Sequence, residues 1–274
     1  MKTVVTASAS RAAEAIRRGE AVAFPTETVY GLGANAFDEG AVKKIFRAKK
    51  RPLDNPLIVH IYSEEQLGEV AEEIPAKALA LIKRFFPGPL TILVKKSKKI
   101  PRAVTAGLPT VCVRMPSLAG TRRFLKFCGV PVAAPSANLS GRPSPTTWRH
   151  VLQALGGRIP LILKGPDARH GLESTIVDCT RDPPALLRPG AVSLEEIEKA
   201  VGGVAVARKT GKALGPGMRH RHYSPSASVK LVDSAGRLPK KRGNWAFIGF
   251  SKAPYAARQC VVAGKEEYAR RLYS

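Results

Sequence analysis

Short apolar runs alternate along this chain with stretches in which apolar residues recur at helical spacing. The runs predict strands over residues 21–25, 57–61, 90–94, 111–115, 130–134, 161–163, 174–179 and 185–187. The helical spacing predicts helices over residues 39–48, 76–86, 118–127 and 147–155. Strands that alternate with helices in this way indicate an α/β fold.

Two capping boxes mark further helix starts. Ser63 is followed three residues later by Gln66, and Ser193 by Glu196. In this motif the serine side chain accepts from a backbone N–H of the first turn and the later side chain reaches back. We therefore expect helices to begin just after Ser63 and Ser193.

The residue composition changes near residue 201. Gly202-Gly203 opens about 25 residues rich in Gly, Lys, Arg, His and Pro, which predict a linker over 202–227. Beyond it the pattern predicts strands at 229–232 and 245–250 and a helix over 266–274. We expect one domain over 1–201 and a small or truncated α/β unit over 228–274, which is too short to fold without docking on the first domain.

Composition and charge narrow the class of protein. The 274 residues are 44% hydrophobic, which is ample for a packed core, and the formal net charge is +24. Such a charge attracts any polyanion, whether nucleotide, tRNA or acidic membrane. The N-terminus is too polar for a secretory signal and no apolar run approaches the roughly 18 residues of a membrane helix, so we expect a cytoplasmic protein. The spacing of the four cysteines fits neither a zinc site nor a disulfide scaffold, which predicts reduced, mostly buried thiols.

Polar side chains recur where predicted strands begin or end. Lys49, Arg51 and Asn55 precede the strand that ends in His60, and Pro135-Ser136-Ala137-Asn138 closes another. Cations, amides and hydroxyls of this kind bind phosphates. Each residue also has a structural alternative: Thr28 as a turn cap, His60 as a core histidine, Arg114 as the partner of a surface carboxylate. Loops at one edge of an open α/β sheet converge on a ligand cleft, which favours a shared site.

Two other motifs are weaker, and two common ones are absent. Gly31-x-Gly33-x-x-Ala36 approaches a dinucleotide fingerprint, but the preceding turn carries more side-chain chemistry than a pyrophosphate cradle uses. No P-loop and no Gly-x-Ser-x-Gly nucleophile elbow occurs. His220-x-His222 could ligate a metal, but the flanking arginines oppose a cation and favour a polar linker.

Four blocks and a linker signature resemble the threonylcarbamoyl-AMP synthase family, whose domain has the YrdC-like fold. The blocks are residues 24–33, 49–60, 135–141 and 173–178, and the signature runs from Gly215 to Pro225. The resemblance spans roughly residues 8–200 and implies a twisted mixed sheet with flanking helices that form a basic concave cleft. It also implies a two-domain member whose linker folds over the active site.

The resemblance implies a reaction as well. L-Threonine and bicarbonate give a carbamate, which attacks the α-phosphate of ATP and expels pyrophosphate, leaving threonylcarbamoyl-AMP for the threonylcarbamoyladenosine modification of tRNA. The cofactor implied is Mg2+ with ATP. The partners implied are the small-molecule substrates and the downstream tRNA threonylcarbamoyl transferase machinery, with direct tRNA contact left open and no membrane. An RNA-binding or ribosome-associated module using the same basic cleft is the alternative reading.

Family analogy also assigns roles to individual residues. The ATP-binding set is Lys49, Arg51, Asn55, Thr110, Ser136, Asn138, Ser144, Arg188 and Tyr223. The threonine-binding set is Thr28, His60, Arg114, Ala134 and Ser174. Within these sets Lys49, Arg51 and Tyr223 are expected to act in catalysis, and no protein side chain is assigned to the metal.

Two positions depart from the family pattern. Lys50 stands where the family usually has glycine, and Gly215 where serine often precedes Pro-Gly-Met. The segment after Ser226 is about half the length usual for the second domain, so the closure of Tyr223 over the site is the least supported part of the analogy.

Overall fold

The computed structural model describes residues 1–207, 215, 228–234, 237–241 and 243–272. The helices in this part of the chain are α1 Ala9–Arg17, α2 Glu39–Lys49, α3 Glu64–Val70, α4 Ala76–Phe85, α5 Arg102–Thr105, α6 Ala119–Cys128, α7 Trp148–Leu155, α8 Leu194–Val201 and α9 Lys265–Arg271. The first strands are β1 Val4–Thr6, β2 Val22–Phe24, β3 Gly31–Asn35, β4 Ile58–His60, β5 Ala71–Glu73, β6 Leu90–Lys96 and β7 Thr110–Arg114. The others are β8 Val132–Ala134, β9 Leu161–Leu163, β10 Thr175–Asp178, β11 Ala185–Arg188, β12 Ala205–Val206, β13 Gly243–Gly249 and β14 Ala256–Val261.

The predicted α/β class is confirmed, with a large twisted mixed sheet flanked by helices. Within the described residues twelve strands form this sheet in the order β1-β9-β2-β3-β8-β4-β7-β6-β10-β11-β12, with β5 on β6. Strands β2 and β8 run opposite to β4 and β7, because β3 is antiparallel to both β2 and β8, β8 is antiparallel to β4, and β4 is parallel to β7. Polar residues at strand beginnings and at strand ends can therefore lie on the same side of the sheet.

Hydrophobic residues pack on both faces of the sheet. The largest cluster joins strands β3, β4 and β7 to helices α2 and α4, with Ile45, Leu81 and Val113 fully buried. A second cluster packs α1 and α6 on β2 through Ile16, Phe24 and Phe124. A third, small cluster of Ile58, Leu93, Cys112 and Ile176 lies on the central strands. Burial at roughly 25 cal/mol per Å2 of apolar surface makes these clusters the main stabilising contribution.

Gly31 and Gly33 serve packing. Both lie inside β3, and a Cβ at Gly33 would stand 2.4 Å from Val132 Cγ1 and 2.7 Å from the Phe24 ring. Distances this short exclude any larger side chain, because the neighbouring strand and an aromatic ring already fill the space. Packing against Phe24 and Val132 therefore explains these glycines. The sequence had already argued against a dinucleotide fingerprint.

Several local predictions need correction. Residues 229–232 form no strand, since an apolar pattern there finds no partner strand and Val229 and Leu231 are exposed. Helix α3 begins after Ser63, but the Ser63 side chain makes no capping bond and Gln66 accepts from the N–H of Tyr62. The box at Ser193 is present in full, with Glu196 reaching back to the N-cap.

The four cysteines are free thiols. Cys112, Cys128 and Cys179 are buried and Cys260 is partly exposed. Burial raises the pKa of each of the three buried thiols to about 12. They remain protonated at neutral pH, so none of them is a poised nucleophile.

The C-terminal unit docks on a glycine of the first domain. Strands β13 and β14 pair in parallel, and α9 follows them. Gly171 has φ +68°, and a Cβ there would lie 2.6 Å from Arg270 Cα and 2.8 Å from Ala269 O. Helix α9 thus packs on the backbone of Gly171, where only glycine leaves room.

Gly171→Ala is expected to loosen this docking. A left-handed alanine carries about 1–2 kcal/mol of strain, and its methyl also collides with α9. Gly129→Ala is the matched control because Gly129 is left-handed as well, with φ +69°, and a Cβ there would have nothing within 4 Å. Hydrogen exchange of the α9 amides should accelerate in the first variant alone. Equal exchange of the α9 amides in both variants would contradict a role for the close contact between Gly171 and α9.

Candidate active site

A pocket on the central strands brings together most of the residues that sequence reasoning singled out. All five residues of the predicted threonine set line it: Thr28, His60, Arg114, Ala134 and Ser174. Three of the predicted ATP set line it too: Arg51, Ser136 and Arg188. These residues are far apart in the chain, so the fold has gathered them in one place.

Arg114 is the buried cation on one side of the pocket. It ends β7 and is 3% exposed. Its Nη2 donates to Glu27 Oε1 at 2.6 Å, its Nη1 to Thr28 Oγ1 at 2.7 Å, and its Nε to the carbonyl of Gly88 at 3.2 Å. Burial alone would raise the pKa of Glu27, but the Arg114 charge outweighs it and the pKa lies below its ordinary value. The pair is therefore ionised at neutral pH.

The hydroxyl of Thr28 is held in a directed chain. Thr26 Oγ1 donates to the carbonyl of Val29 at 2.6 Å, so Thr28 donates to Thr26 across their 2.8 Å contact. Thr28 also accepts from Arg114. With its proton turned inward, Thr28 offers the pocket only a lone pair, which suits a donor group on a ligand.

His60 is a neutral histidine on the pocket wall. It ends β4, its Nδ1 lies 3.2 Å from the carbonyl oxygen of Ile58, and its ring meets Phe24 edge to face with centroids 5.6 Å apart. Burial, reinforced by the Arg114 charge, lowers its pKa to about 3. The ring therefore contributes shape and hydrogen bonding at neutral pH, and no charge.

Arg51 and Arg188 place positive charge on the other side of the pocket. Arg51 donates from Nε to the carbonyl of Asn55 at 3.1 Å and from Nη2 to the carbonyl of Pro56 at 2.9 Å. Burial lowers its pKa to about 10, which leaves it protonated at neutral pH. Arg188 donates to the carboxylate of Glu173 and to the carbonyl of Ser174. Both guanidiniums are anchored by protein oxygens and face one pocket.

Glu173 is a carboxylate among these cations. It lines the pocket, pairs with Arg188 and accepts from Ser144 Oγ at 2.8 Å. Ser174, the next residue, shares a 2.8 Å hydrogen bond with Thr91. Ser144 is thus placed behind the pocket wall, one hydrogen bond from it.

Lys49 lies behind the wall as well. Its ammonium is 1% exposed and donates to the carbonyls of Ser136 and Asn138. Burial, with the nearby Arg51 charge, lowers its pKa well below the ordinary value. Asn138 accepts from Ser136 Oγ at 2.6 Å and donates to the carbonyls of Leu139 and Arg142. In this structure Lys49 and Asn138 shape the loop that presents Ser136 to the pocket.

Asn55 and Thr110 carry buried polar atoms that no described residue satisfies. Both side-chain polar atoms of Asn55, which is 1% exposed, and the hydroxyl of Thr110 lack a hydrogen-bond partner among the described residues. Unsatisfied groups of this kind cost about 1–3 kcal/mol each, which a ligand can recover. Both belong to the predicted ATP set although neither lines the pocket.

Within the linker signature, Gly215 is the one residue that the structure describes. Tyr223 lies outside the described residues. Gly215 is buried, and a Cβ there would meet Ile176 Cδ1 at 3.4 Å and Cys112 Sγ at 3.6 Å. Gly215 therefore sits on the third hydrophobic cluster, whose member Ile58 lines the pocket. The Cβ of a serine at this position would make ordinary van der Waals contact with Ile176 and Cys112.

Sequence reasoning missed Glu27 and Glu173 as parts of the site. Each stands immediately before a predicted threonine-set residue, in Glu27-Thr28 and Glu173-Ser174. The available signal was this adjacency, because a buried guanidinium is often paired with a carboxylate, as Arg114 and Arg188 are here. In the part of the chain that the structure describes, no group of three or more His, Cys, Asp or Glu residues could hold a metal. Within the same part, no helix has the length and apolarity needed to cross a membrane.

Two family models match most of the chain. The model Sua5_yciO_yrdC, described as "Telomere recombination", matches residues 14–190. The model Sua5_C, described as "Threonylcarbamoyl-AMP synthase, C-terminal domain", matches residues 192–274. The two matches adjoin without overlap.

Curated relatives and solved structures agree with these models. The chain is 53% identical over 227 residues to the threonylcarbamoyl-AMP synthase of Pyrococcus abyssi, covering 81% of this chain and 67% of that protein. It is 47% identical over 231 residues to the Bacillus subtilis protein of that name, covering 82% and 67%. The crystal structure of P. abyssi Sua5 complexed with L-threonine superposes with a TM-score of 0.90 at 44% identity, covering 99% of this chain and 86% of that one.

Acid should destabilise the fold through His60. The pKa of His60 is about 6.5 in the unfolded chain and about 3 in the folded chain. Between these two values the unfolded chain binds a proton that the folded chain does not. The contribution of the neutral His60 to the free energy of unfolding is thus complete above pH 6.5 and is lost as the pH falls from there toward 3. Urea unfolding at pH 7.5 and 5.5 should show about 1.4 kcal/mol more loss in the wild type than in His60→Gln. Equal losses in the two proteins would contradict a neutral buried His60.

Proposed function

The chain belongs to the Sua5/YciO/YrdC family, and from that premise we propose that it is an L-threonylcarbamoyladenylate synthase. This enzyme is a nucleotidyltransferase that joins L-threonine, bicarbonate and ATP into threonylcarbamoyl-AMP and pyrophosphate. One observation carries the proposal: Thr28, His60, Arg114 and Ser174 share a single pocket with the guanidiniums of Arg51 and Arg188. One half of this pocket suits a small amino acid and the other half suits a polyphosphate.

The amino-acid half would hold L-threonine by its charges and its hydroxyl. Arg114 offers the substrate carboxylate a planar guanidinium whose orientation is already fixed. Thr28 accepts from a ligand donor, because its own proton is committed to Thr26. Ala134 and Ile58 supply apolar wall for the substrate methyl group.

The nucleotide half would stabilise charge on the phosphates. The amine of threonine and bicarbonate form a carbamate with loss of water, and a carbamate oxygen then attacks the α-phosphorus as the bond to the β-phosphate oxygen breaks. Arg51 and Arg188 lie where they can face the negative charge on the transferred and leaving groups. No protein nucleophile is needed, and the buried thiols, with pKa values of about 12, supply none. Alignment and electrostatics are thus the expected sources of rate.

Mg2+ fits this chemistry as a companion of ATP. Mg2+ commonly binds through substrate phosphates, waters and one or two carboxylates, and so needs no protein cage. The described residues include no such cage, while Glu173 puts one carboxylate on the pocket wall beside Arg188. Bound there, the ion would neutralise charge on the leaving pyrophosphate. We assign Glu173 as the carboxylate that would face the ion.

Further parts of the proposal rest on family analogy. They are catalytic roles for Lys49 and Tyr223, ATP contacts for Asn55, Thr110, Asn138 and Ser144, and a division into 1–201, a linker over 202–227 and a unit over 228–274. Supply of the adenylate to the tRNA threonylcarbamoyl transferase machinery and a cytoplasmic location follow from the same function. The burial of unsatisfied polar atoms on Asn55 and Thr110 supports their role as ligand contacts.

The rival reading, an RNA-binding module, explains the charge but not the pocket. Backbone contacts to RNA need exposed cations, whereas Arg51, Arg114 and Arg188 are buried and held by protein oxygens. Such burial suits a small ligand enclosed in a pocket. The enzymatic reading therefore accounts for more of the structure.

Pyrophosphate release should require all three substrates. With ATP and Mg2+ present, omission of either L-threonine or bicarbonate should reduce release to the background rate. Arg114→Ala should raise KM for threonine, and Arg51→Ala should lower kcat/KM for ATP, each by about 10-fold or more, because each removes charged hydrogen bonds.

Lys99→Ala is the matched control for loss of a positive charge, since Lys99 is exposed and away from the pocket. Its kinetics should be unchanged. Release of pyrophosphate without threonine, or salt-sensitive RNA binding without any turnover, would contradict the proposed function.

Amino-acid selectivity should be asymmetric. Rejection of valine leaves polar groups of the pocket without the substrate hydroxyl, and is expected to reach about 10^4-fold in kcat/KM. Rejection of serine depends on one methyl group and is expected to be only about 10- to 200-fold. Competition assays with both amino acids measure this, and equal use of valine and threonine would rule out a pocket that reads the hydroxyl.

A further inference from the structure

Two of the three arginines that line the pocket, Arg114 and Arg188, are paired with glutamates, and the two glutamates are placed differently. Glu173, the partner of Arg188, lines the pocket and can meet a ligand. Glu27, the partner of Arg114, is not part of the pocket wall, although it is buried directly behind that arginine. A carboxylate in this position acts on a ligand only through the arginine that it holds.

We propose that Glu27 is a positioning residue for recognition of the substrate carboxylate: it fixes the plane of the Arg114 guanidinium against the bound amino acid. This inference rests on the proposed function, in which Arg114 binds the carboxylate of L-threonine. Glu27 does not touch the substrate, and its effect on binding is transmitted by Arg114.

The geometry around Arg114 supports this role. A guanidinium plane is defined by where its three nitrogens point, and here Nη2 meets Glu27, Nη1 meets Thr28 and Nε meets the Gly88 carbonyl. Of these three acceptors only Glu27 is charged, and its 2.6 Å contact is the shortest. The remaining N–H groups are left in a fixed plane, as a bidentate carboxylate contact requires.

Glu27 is itself held in place from several directions. Its carbonyl accepts from the N–H of His170 at 2.9 Å. Its carboxylate lies close to the backbone N–H groups of Glu27 and Ser117, which help to keep it ionised. Its neighbour Thr28 is fixed through Thr26. The second carboxylate oxygen, Oε2, is buried without a hydrogen-bond partner among the described residues, so the carboxylate is held chiefly by its contact with Arg114.

Loss of Glu27 would free Arg114 in a specific way. A buried guanidinium without its carboxylate turns toward other acceptors, because an unpaired buried charge is costly. Arg114 would then keep its charge and lose its orientation. A bidentate contact suffers from such a change far more than a contact with a neutral group on the same ligand.

Ligands with and without a carboxylate can separate this role from a general effect on folding. L-Threoninol has a hydroxymethyl group where L-threonine has its carboxylate. The ratio of the two dissociation constants, measured by calorimetry, reports recognition of the carboxylate alone, since unfolded protein lowers the active fraction for both ligands equally. The proteins to compare are the wild type, Glu27→Ala, Glu27→Gln, Arg114→Ala and the double variant Glu27→Ala/Arg114→Ala.

The wild type should prefer L-threonine, and Glu27→Ala should reduce that preference by about 10-fold or more, the loss typical of a hydrogen bond to a charged group. Glu27→Gln keeps an acceptor oxygen of the same reach and should fall between the two. The double variant should match Arg114→Ala, because Glu27 acts through that arginine. Glu72→Ala, which removes an exposed carboxylate paired with Lys95, should leave the ratio unchanged.

Three outcomes distinguish the possibilities. An unchanged or increased preference in Glu27→Ala and Glu27→Gln, with a loss in Arg114→Ala, would overturn the positioning role while leaving the proposed function intact. If Arg114→Ala itself leaves the preference unchanged, the assignment of Arg114 under the proposed function fails. Should Glu27→Ala not fold, Glu27→Gln decides alone, and a loss of roughly threefold or more is expected.

Discussion

The architecture of this site depends on the burial of four basic side chains. Lys49, Arg51, Arg114 and Arg188 are all at most 9% exposed. A buried cation is tolerated only where protein oxygens replace its water, so each one dictates the structure around it. Lys49 draws in the carbonyls of the Ser136–Asn138 loop, Arg51 those of residues 55 and 56, and the other two recruit glutamates. The loops around the pocket thus supply the oxygens that accept hydrogen bonds from these buried side chains.

The mixed sheet explains how such distant residues meet. Because β4 and β7 run opposite to β2 and β8, His60 at the end of β4 lies beside Val132 at the beginning of β8, and Arg114 at the end of β7 lies beside His60. The pocket therefore crosses the sheet, with Ile58 at the beginning of β4 and Ser136 after the end of β8. Ile58 begins and His60 ends the three-residue strand β4, and both line the pocket, so the pocket spans the full length of this strand.

Much of this could be predicted from the sequence, and the failures have physical causes. Long apolar runs such as those of β6 and β7 were recognisable because both faces of these strands are buried. Strand β3 was not, since its glycines suggest a loop and are required instead by the Phe24 ring and Val132. The strand predicted at 229–232 failed because β-propensity acts only where a partner strand exists. Glu27 and Glu173 were missed as site residues because pairing of buried charges depends on three-dimensional neighbours that spacing alone does not reveal.

The same constraint connects the C-terminal unit to the pocket. The loop at residues 170–171 contacts both sides: the N–H of His170 donates to the carbonyl of Glu27, and Gly171 receives the backbone of α9. Glu27 in turn holds Arg114, so three successive contacts lead from α9 to the pocket wall. The +68° φ of Gly171 allows a turn compact enough to receive a helix on one side and a buried carboxylate's backbone on the other. Helix α9 thus packs on the same short loop that hydrogen-bonds to the backbone of Glu27, the acid that holds Arg114.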